Sequence, residues 1–383
     1  MAETKKNSPL KTFIQFILFL AVGLSILYFV YSNQEAAYQA ECAFKLDYDC
    51  EGKCEHDSLL NKLIVDFGSS SPFWLFLVCL AFMLSNVSRA LRWKLLIGQL
   101  EDGRYNIKWY NAFWATMVGY LVNLALPRAG ELAKPATLAQ YEKLPLDKLL
   151  GTIVTDRIMD VVMLLLIIGL TFLLQFEQLY NFLMGKTKAE LICAKELPIV
   201  EASDNSWLLW LLGGGVVAGL LALVLGLIFR KQLMQLSIAQ KVWEMALNFW
   251  AGIKTVFSLR RQKLFWFMFH SVVIWLMYFL MTYLCFFAFG PTAHLGLMAG
   301  LLVFVFGAFG IVIPSPGGMG TYQIAVTAGL VIYGVGRADA FAFSNICFFT
   351  INLFCNIGFG LLGYMLLPLL NKNYQPSWTK ENN

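Results

Sequence analysis

Arg89 and Arg92 stand three residues apart at the end of an apolar stretch, so on a helix they share a face. Further on, Asn123, Arg128 and Glu131 surround the interruption Pro127-Arg128-Ala129-Gly130, and Asp156, Arg157 and Asp160 fall on one face near the start of the next apolar run. A charge at mid-bilayer costs about 2.5–3.5 kcal/mol on insertion scales, so such groups pair with one another or line water. Guanidinium is also a natural receptor for a phosphate group, through paired hydrogen bonds. The chemistry on offer is capture of an anion, with Glu131, Asp156 and Asp160 orienting the arginines or accepting protons. The plain readings stand beside it: Arg89 and Arg92 snorkelling at the inner interface, and Arg157–Asp160 as a structural ion pair.

A second constellation is Pro314-Ser315-Pro316-Gly317-Gly318-Met319-Gly320, set within an apolar expanse from about Leu264 to Leu370. Two prolines remove backbone donors and three glycines weaken helix, so no continuous helix passes through it. At membrane depth, irregular backbone is tolerated only where it is buried in protein or lines a wet cavity. Pro316, Gly317, Gly318 and Gly320 are therefore candidate site residues, the glycines letting backbone amides approach an anionic group.

The elements that must carry these residues are legible in composition. A mean hydropathy of +0.64, with 58% apolar and 14% charged residues, describes a polytopic membrane protein. The spacing predicts a first helix over 12–31, a first half over 73–174, a linking helix over 207–229 and a second half over 264–370. The fold class expected is all-α, a transmembrane bundle of about 6–8 spans with two re-entrant or broken helical segments. Residues 33–70 hold eight acids against three lysines and are read as an outer loop. Residues 230–263 carry seven basic residues and one acid, and read as an inner segment with an amphipathic helix. By this charge pattern both termini are cytoplasmic and the chain sits in the cell (inner or plasma) membrane.

Charge also imposes a parity. Helices before and after 109–147 both place that segment's ends inside, which a single span cannot do. It is read as a re-entrant excursion from the cytoplasmic face, followed after Glu131 by a polar connection to Lys148; the alternative is that part of the weakly apolar 132–147 crosses, against which Lys134, Glu142, Lys143 and Asp147 argue. The second half repeats the pattern upside down across 293–335, or else crosses there as two short spans. An inverted repeat with broken helices near the midplane is the build of alternating-access transporters.

Cys42, Cys50, Cys54 and Cys193 are the cysteines of the acidic loops and are disulfide candidates facing an oxidising compartment, in any of three pairings. A metal site from Cys50, Cys54 and His56 and a set of unpaired thiols are the rival readings; no metal or cofactor is expected overall. GxxxxGK[ST], HExxH and GxSxG are absent, which removes the usual support for ATP-driven transport and common hydrolase chemistry. No basic run lies away from a membrane flank, so nucleic acid is not an expected partner.

In order, Arg89-x-x-Arg92-Trp93, Asn123-Leu124-Ala125-Leu126-Pro127-Arg128-Ala129-Gly130-Glu131, Asp156-Arg157-Ile158-Met159-Asp160 and Pro314-x-Pro316-Gly317-Gly318-x-Gly320 resemble the lysylphosphatidylglycerol synthase transmembrane region, the flippase-like family, over roughly 12–370. The resemblance implies a bundle associated with moving lipids or lipid-linked sugars between leaflets. Gln323 stands where the family pattern has Glu, which keeps hydrogen bonding but not ionisation; Asp156 stands where Glu is common. The full-length synthases add a soluble aminoacyltransferase domain, and the sequence to Asn383 holds none. The expectation is therefore a lipid translocator, not an enzyme, with an anionic phospholipid or lipid-linked sugar as partner and room for a homo-oligomer. A membrane-embedded transferase and a non-transporting assembly subunit are the alternatives.

Overall fold

The computed structural model describes residues 9–47, 57–126, 129–183, 191–192, 195–196, 256, 259–313, 315–376 and 378. Arg128, Pro314, Cys50, Cys54, Cys193, the linking helix 207–229 and nearly all of 230–263 lie outside them. The chain divides into two compact units, one of Met1–Ile153 with Phe265–Asn383 and one of Val154–Leu264. The described chain is almost wholly helical, with one two-residue strand pairing, Leu191–Ile192 against Lys195–Glu196, in the second unit.

Helix α1 spans Pro9–Asp47. It corrects the expectation of an outer loop from 33. Hydropathy falls after Tyr31, but the chain carries no glycine or proline from Leu24 to Glu51, and Glu35, Ala36, Ala37, Gln39, Ala40 and Glu41 favour helix. Apolarity ends the span there without ending the helix. A second helix, α2 (Leu59–Ser69), follows, with the hydroxyl of its cap Ser58 accepting from the amide of Asn61 at 3.3 Å.

Helix α3 (Pro72–Ile97) opens with proline at its first turn, where a missing N–H costs nothing. Next come α4 (Trp109–Ala125) and α5 (Gly130–Glu142). The polar connection expected from Glu131 to Lys148 is thus mostly helix: its charges interrupt hydropathy, yet its residues are helix formers around a single internal Pro135. The two helices pack as a hairpin about Gly119 and Gly130. A Cβ on Gly119 would lie 2.9 Å from Cβ of Lys134, and one on Gly130 would lie 2.8 Å from Cβ of Asn123 and collide with the Gly119 carbonyl.

Helix α6 (Leu146–Leu174) runs from the first unit into the second and is followed by α7 (Phe176–Leu183). Back in the first unit, α8 (Arg261–Ala288), α9 (Leu297–Val312), α10 (Thr321–Val331), α11 (Arg337–Phe348) and α12 (Asn356–Leu370) complete the order. A π-helical turn, Phe349–Cys355, joins the last two. Helices α9 and α10 form a second hairpin, and a Cβ on Gly310 would sit 2.7 Å from Cα of Tyr322.

Among the described residues, four helical segments are long and apolar enough to cross a membrane: Pro72–Ile97, Leu146–Leu174, Arg261–Ala288 and Arg337–Leu370. The core of the first unit gathers Trp93, Phe113, Met117, Phe286, Val326, Phe343 and Phe348, which ties both hairpins to the long helices around them. The chain is a multi-pass membrane protein of the all-α class, and in each half a hairpin with a broken tip follows a long helix.

Candidate functional site

Helix α3 turns Ser85, Asn86, Ser88, Arg89, Arg92 and Trp93 into the interior, an unusually polar face for a span. Arg89 is 3% exposed and Arg92 fully buried. Neither fringes the surface, so snorkelling does not describe them. Nη2 of Arg89 donates to the Tyr278 hydroxyl at 2.8 Å, and its guanidinium lies 5.7 Å from that ring's centre. Nη1 of Arg92 donates to Ser271 Oγ at 3.1 Å, with the guanidinium 5.6 Å from the Phe267 ring. The pairs 89–278 and 92–271 run in opposite senses along the two helices, so α3 and α8 are antiparallel; the amide of Ser71 reaching the Ala288 carbonyl at 2.9 Å agrees. Tyrosine, serine and aromatic faces thus help to hold both guanidiniums in position.

A third buried cation belongs with them. Lys134, 7% exposed, crosses the hairpin with its stem on Gly119 and its ammonium 4.3 Å from the centre of the Trp93 ring. The indole N–H of Trp93 donates to Thr152 Oγ1 at 2.8 Å, and the Thr152 hydroxyl donates to the Leu149 carbonyl at 2.7 Å. A desolvated cation on a Trp face is worth about 2 kcal/mol or more. Lys134 escapes a reading by hydropathy because it counts there only as a charge against crossing; the signal that finds it is Gly119, whose missing Cβ makes room for it.

The other expected residues are distributed as follows. Asn123 is exposed and packs by its Cβ against Gly130, beside the first tip, and Glu131 is half-buried in the first turn of α5. In the second unit, Asp156 and Asp160 are buried at 1% and 9%, one helical turn apart on α6. Arg157 does not share their face: its side chain is 48% exposed and reaches Asp160 only at 3.8 Å. One residue along a helix turns the side chain by about 100°, which carries Arg157 off the buried stripe.

At the second tip, Gly317, Gly318 and Gly320 have φ of 60°, 81° and 82°, the left-handed region that glycine enters without strain. Pro316 opens the single 3-10 turn there. The Thr321 hydroxyl bonds to the Gly310 carbonyl at 2.6 Å and lies 2.7 Å from Ser315 Oγ, stitching the tip to α9. Gln323 is fully buried and accepts from the Gly320 amide at 2.8 Å, while its own amide approaches Asn345 Oδ1 at 3.5 Å. That corrects the expectation of a free glycine amide at 320: Gln323 caps α10 with it. A Cβ on Gly320 would lie 2.5 Å from the Ile26 side chain, so this tip packs against α1 and also meets α4.

Cys42 is disulfide-bonded, whereas Cys79, Cys285, Cys347 and Cys355, all in the helices, are free. No group of three or more His, Cys, Asp or Glu able to hold a metal occurs among the described residues.

The family model described as the lysylphosphatidylglycerol synthase TM region matches residues 59–358. The chain belongs to that family. The match is narrower than the resemblance over 12–370 suggested: it begins at α2, leaving α1 outside. No curated protein and no solved structure matches the chain.

Proposed function

We propose that this member of the lysylphosphatidylglycerol synthase transmembrane-region family moves a lipid with an anionic head group between leaflets. The reading rests on one observation above the others: α3 carries two buried guanidiniums, Arg89 and Arg92, against α8, and its Trp93 holds the buried ammonium of Lys134 from the hairpin α4–α5. Cations inside a bundle, between low-dielectric walls, act more strongly on an anion than they would in water. Guanidinium also supplies the paired donors a phosphate accepts.

The rest of the architecture is in keeping with this. In inverted-repeat transporters, sites form where helices are broken near the midplane. Here two hairpins with broken tips recur after long helices, and the second tip touches α4 of the first. On this reading the hairpins are re-entrant, entering from opposite faces, and the lipid is passed on chemically unchanged. On this reading both termini are cytoplasmic and the chain lies in the cell membrane, which the basic charge of 230–263 supports.

The test is a leaflet-accessibility assay in liposomes of defined anionic and zwitterionic phospholipid. Arg92→Gln and Arg89→Gln, checked for intact folding by size-exclusion chromatography, should abolish transfer of the anionic lipid. Transfer at the unaltered rate by both folded variants would refute the proposal.

A further inference from the structure

The end of the first unit that carries α1 and α2 holds a cavity of about 570 Å³. Helix α1 lines it with Leu24, Leu27, Tyr28 and Tyr31, spaced i, i+3, i+4, i+7. Helix α2 lines it with Leu60, Leu63, Ile64 and Phe67 at the same spacing. Phe341, Asn345 and Phe349 make the floor, one helical turn apart. Three helices thus each present one stripe to a common space, and they meet one another where Tyr31 and Leu63 pack on the buried cluster of Val30, Leu59 and Phe341.

The gap is held open. The Leu59 amide donates to Glu35 at 3.0 Å and Gln39 donates to the Asp57 carbonyl at 2.8 Å, fixing α2 to α1. Lys62 bridges Asp66 at 2.8 Å and Asp339 at 2.6 Å, fixing α2 to α11. Phe67 stacks edge-on to Phe349 at 5.8 Å and closes one end. The polar ties set the helix separation from outside the groove and hold its apolar walls apart.

We propose that this groove binds one acyl chain of a membrane phospholipid. The space is an open groove, since Leu24, Tyr28, Leu60 and Ile64 are 52–72% exposed. Its walls offer water almost no polar partners, and left uncovered they forfeit dispersion contacts along the open side. In a membrane-embedded chain the adjacent apolar solvent is hydrocarbon, and the volume lies within the roughly 300–1,000 Å³ of small-molecule sites. The polar groups gather at one end, where the Tyr31 hydroxyl donates to Glu35 at 2.8 Å beside the Lys62 cluster. That is the arrangement a lipid needs, with its tail along the stripes and its head among charges. The floor is continuous with the second hairpin tip through Asn345, Gln323 and the Gly320 amide. One wall is α1, which the family match does not include. The groove is a separate site from the buried cations and stands whether or not they bind an anion.

The experiment uses the full chain in phosphatidylcholine nanodiscs containing a phosphatidylcholine with a photoactivatable diazirine in one acyl chain, with adducts mapped by mass spectrometry. Adducts should concentrate on residues 24–31 and 60–67 relative to Leu165, Leu166 and Leu173 on α6, which are merely exposed. Ile64→Trp, at an exposed position, and Leu27→Trp should each lower groove adducts about tenfold, the loss of contact for roughly two methylenes, and leave the α6 adducts unchanged. Groove labelling no denser than on α6, or insensitive to both folded Trp variants, would show ordinary bilayer contact and overturn the site. A groove filled by another part of the chain or by a second copy would give no groove adducts, and that result would overturn the site as well.

Discussion

Tyr374 and Glu142, 232 residues apart, share a hydrogen bond of 2.9 Å in which the phenol donates to Oε2. The other carboxylate oxygen of the fully buried Glu142 accepts from the Lys108 amide at 2.9 Å and from Asn111 at 2.8 Å. Asn111 and Asn371 bond reciprocally, at 2.9 and 2.7 Å. One buried carboxylate therefore joins the start of α4, the end of α5 and the tail after α12. Burial, and then the bond to Glu142, push the Tyr374 phenol above its ordinary pKa.

Tyr374→Phe should destabilise the first unit by about 1–3 kcal/mol, since a buried carboxylate loses a donor. The check is thermal unfolding in detergent. Glu142→Ala should cost more, because the Lys108 amide, Asn111 and Tyr374 all lose their acceptor at once. Equal unfolding midpoints for wild type and Tyr374→Phe would mean that water replaces the phenol.

Gly130→Ala should splay the first hairpin, because the new Cβ collides with the Gly119 carbonyl, a backbone atom that cannot rotate away. Gly151→Ala is the matched control: nothing lies within 4 Å of a Cβ there, and it should gain up to about 1 kcal/mol from helix propensity. Thermal midpoints moving in opposite directions would bear out the crossing; two similar midpoints would not.

Trp93→Phe should cost about 1–2 kcal/mol by removing the bond to Thr152 and weakening the face under Lys134. Thr152→Val removes the same bond from the other side. The double variant should therefore cost less than the two singles summed. Strict additivity would show that the two side chains act independently.

The join of α1 to α2 should be sensitive to acid. Burial alone would raise the Glu35 pKa, but the bonds from Gln39, Tyr31 and the Leu59 amide outweigh it and hold the carboxyl below the usual value. A depressed pKa stabilises the fold fully above the unfolded value of about 4.3, and the contribution is lost as pH falls through the folded value. The protection of the Leu59 amide against hydrogen exchange, relative to its intrinsic rate at each pH, should fall below about pH 4.3. In Glu35→Gln the amide should exchange with only the ordinary pH dependence. Parallel profiles for the two proteins would remove Glu35 as the cause.

Much of this was legible in the sequence, for physical reasons that also mark its limits. Proline and glycine act locally, so both tips could be read at 127–130 and 314–320 without any knowledge of packing. Arg89 and Arg92 could be placed on one face by spacing alone. Hydropathy, by contrast, reports preference for lipid and not helix formation. It therefore ended α1 about sixteen residues early and read α5 as a connection. Lys134 and Glu142 looked like charges bound for solvent because their shelters, the Trp93 ring and the Asn111–Tyr374 donors, come from distant chain. Gly320 appeared to offer an amide because its partner Gln323 acts through a cap that only the folded turn creates.

The π turn at Phe349–Cys355 gives the last long helix two orientations at once. Accommodating one residue more than an α turn rotates all that follows by roughly 100°. Phe341 and Asn345 ahead of it look toward α1 and α2, while Gly360 and Gly363 behind it sit flush on Leu121 and Trp114 of α4. Without that insertion a single rod could not serve as floor to one neighbour and as seat for another, and any slippage of the bulge along the rod would be felt by both.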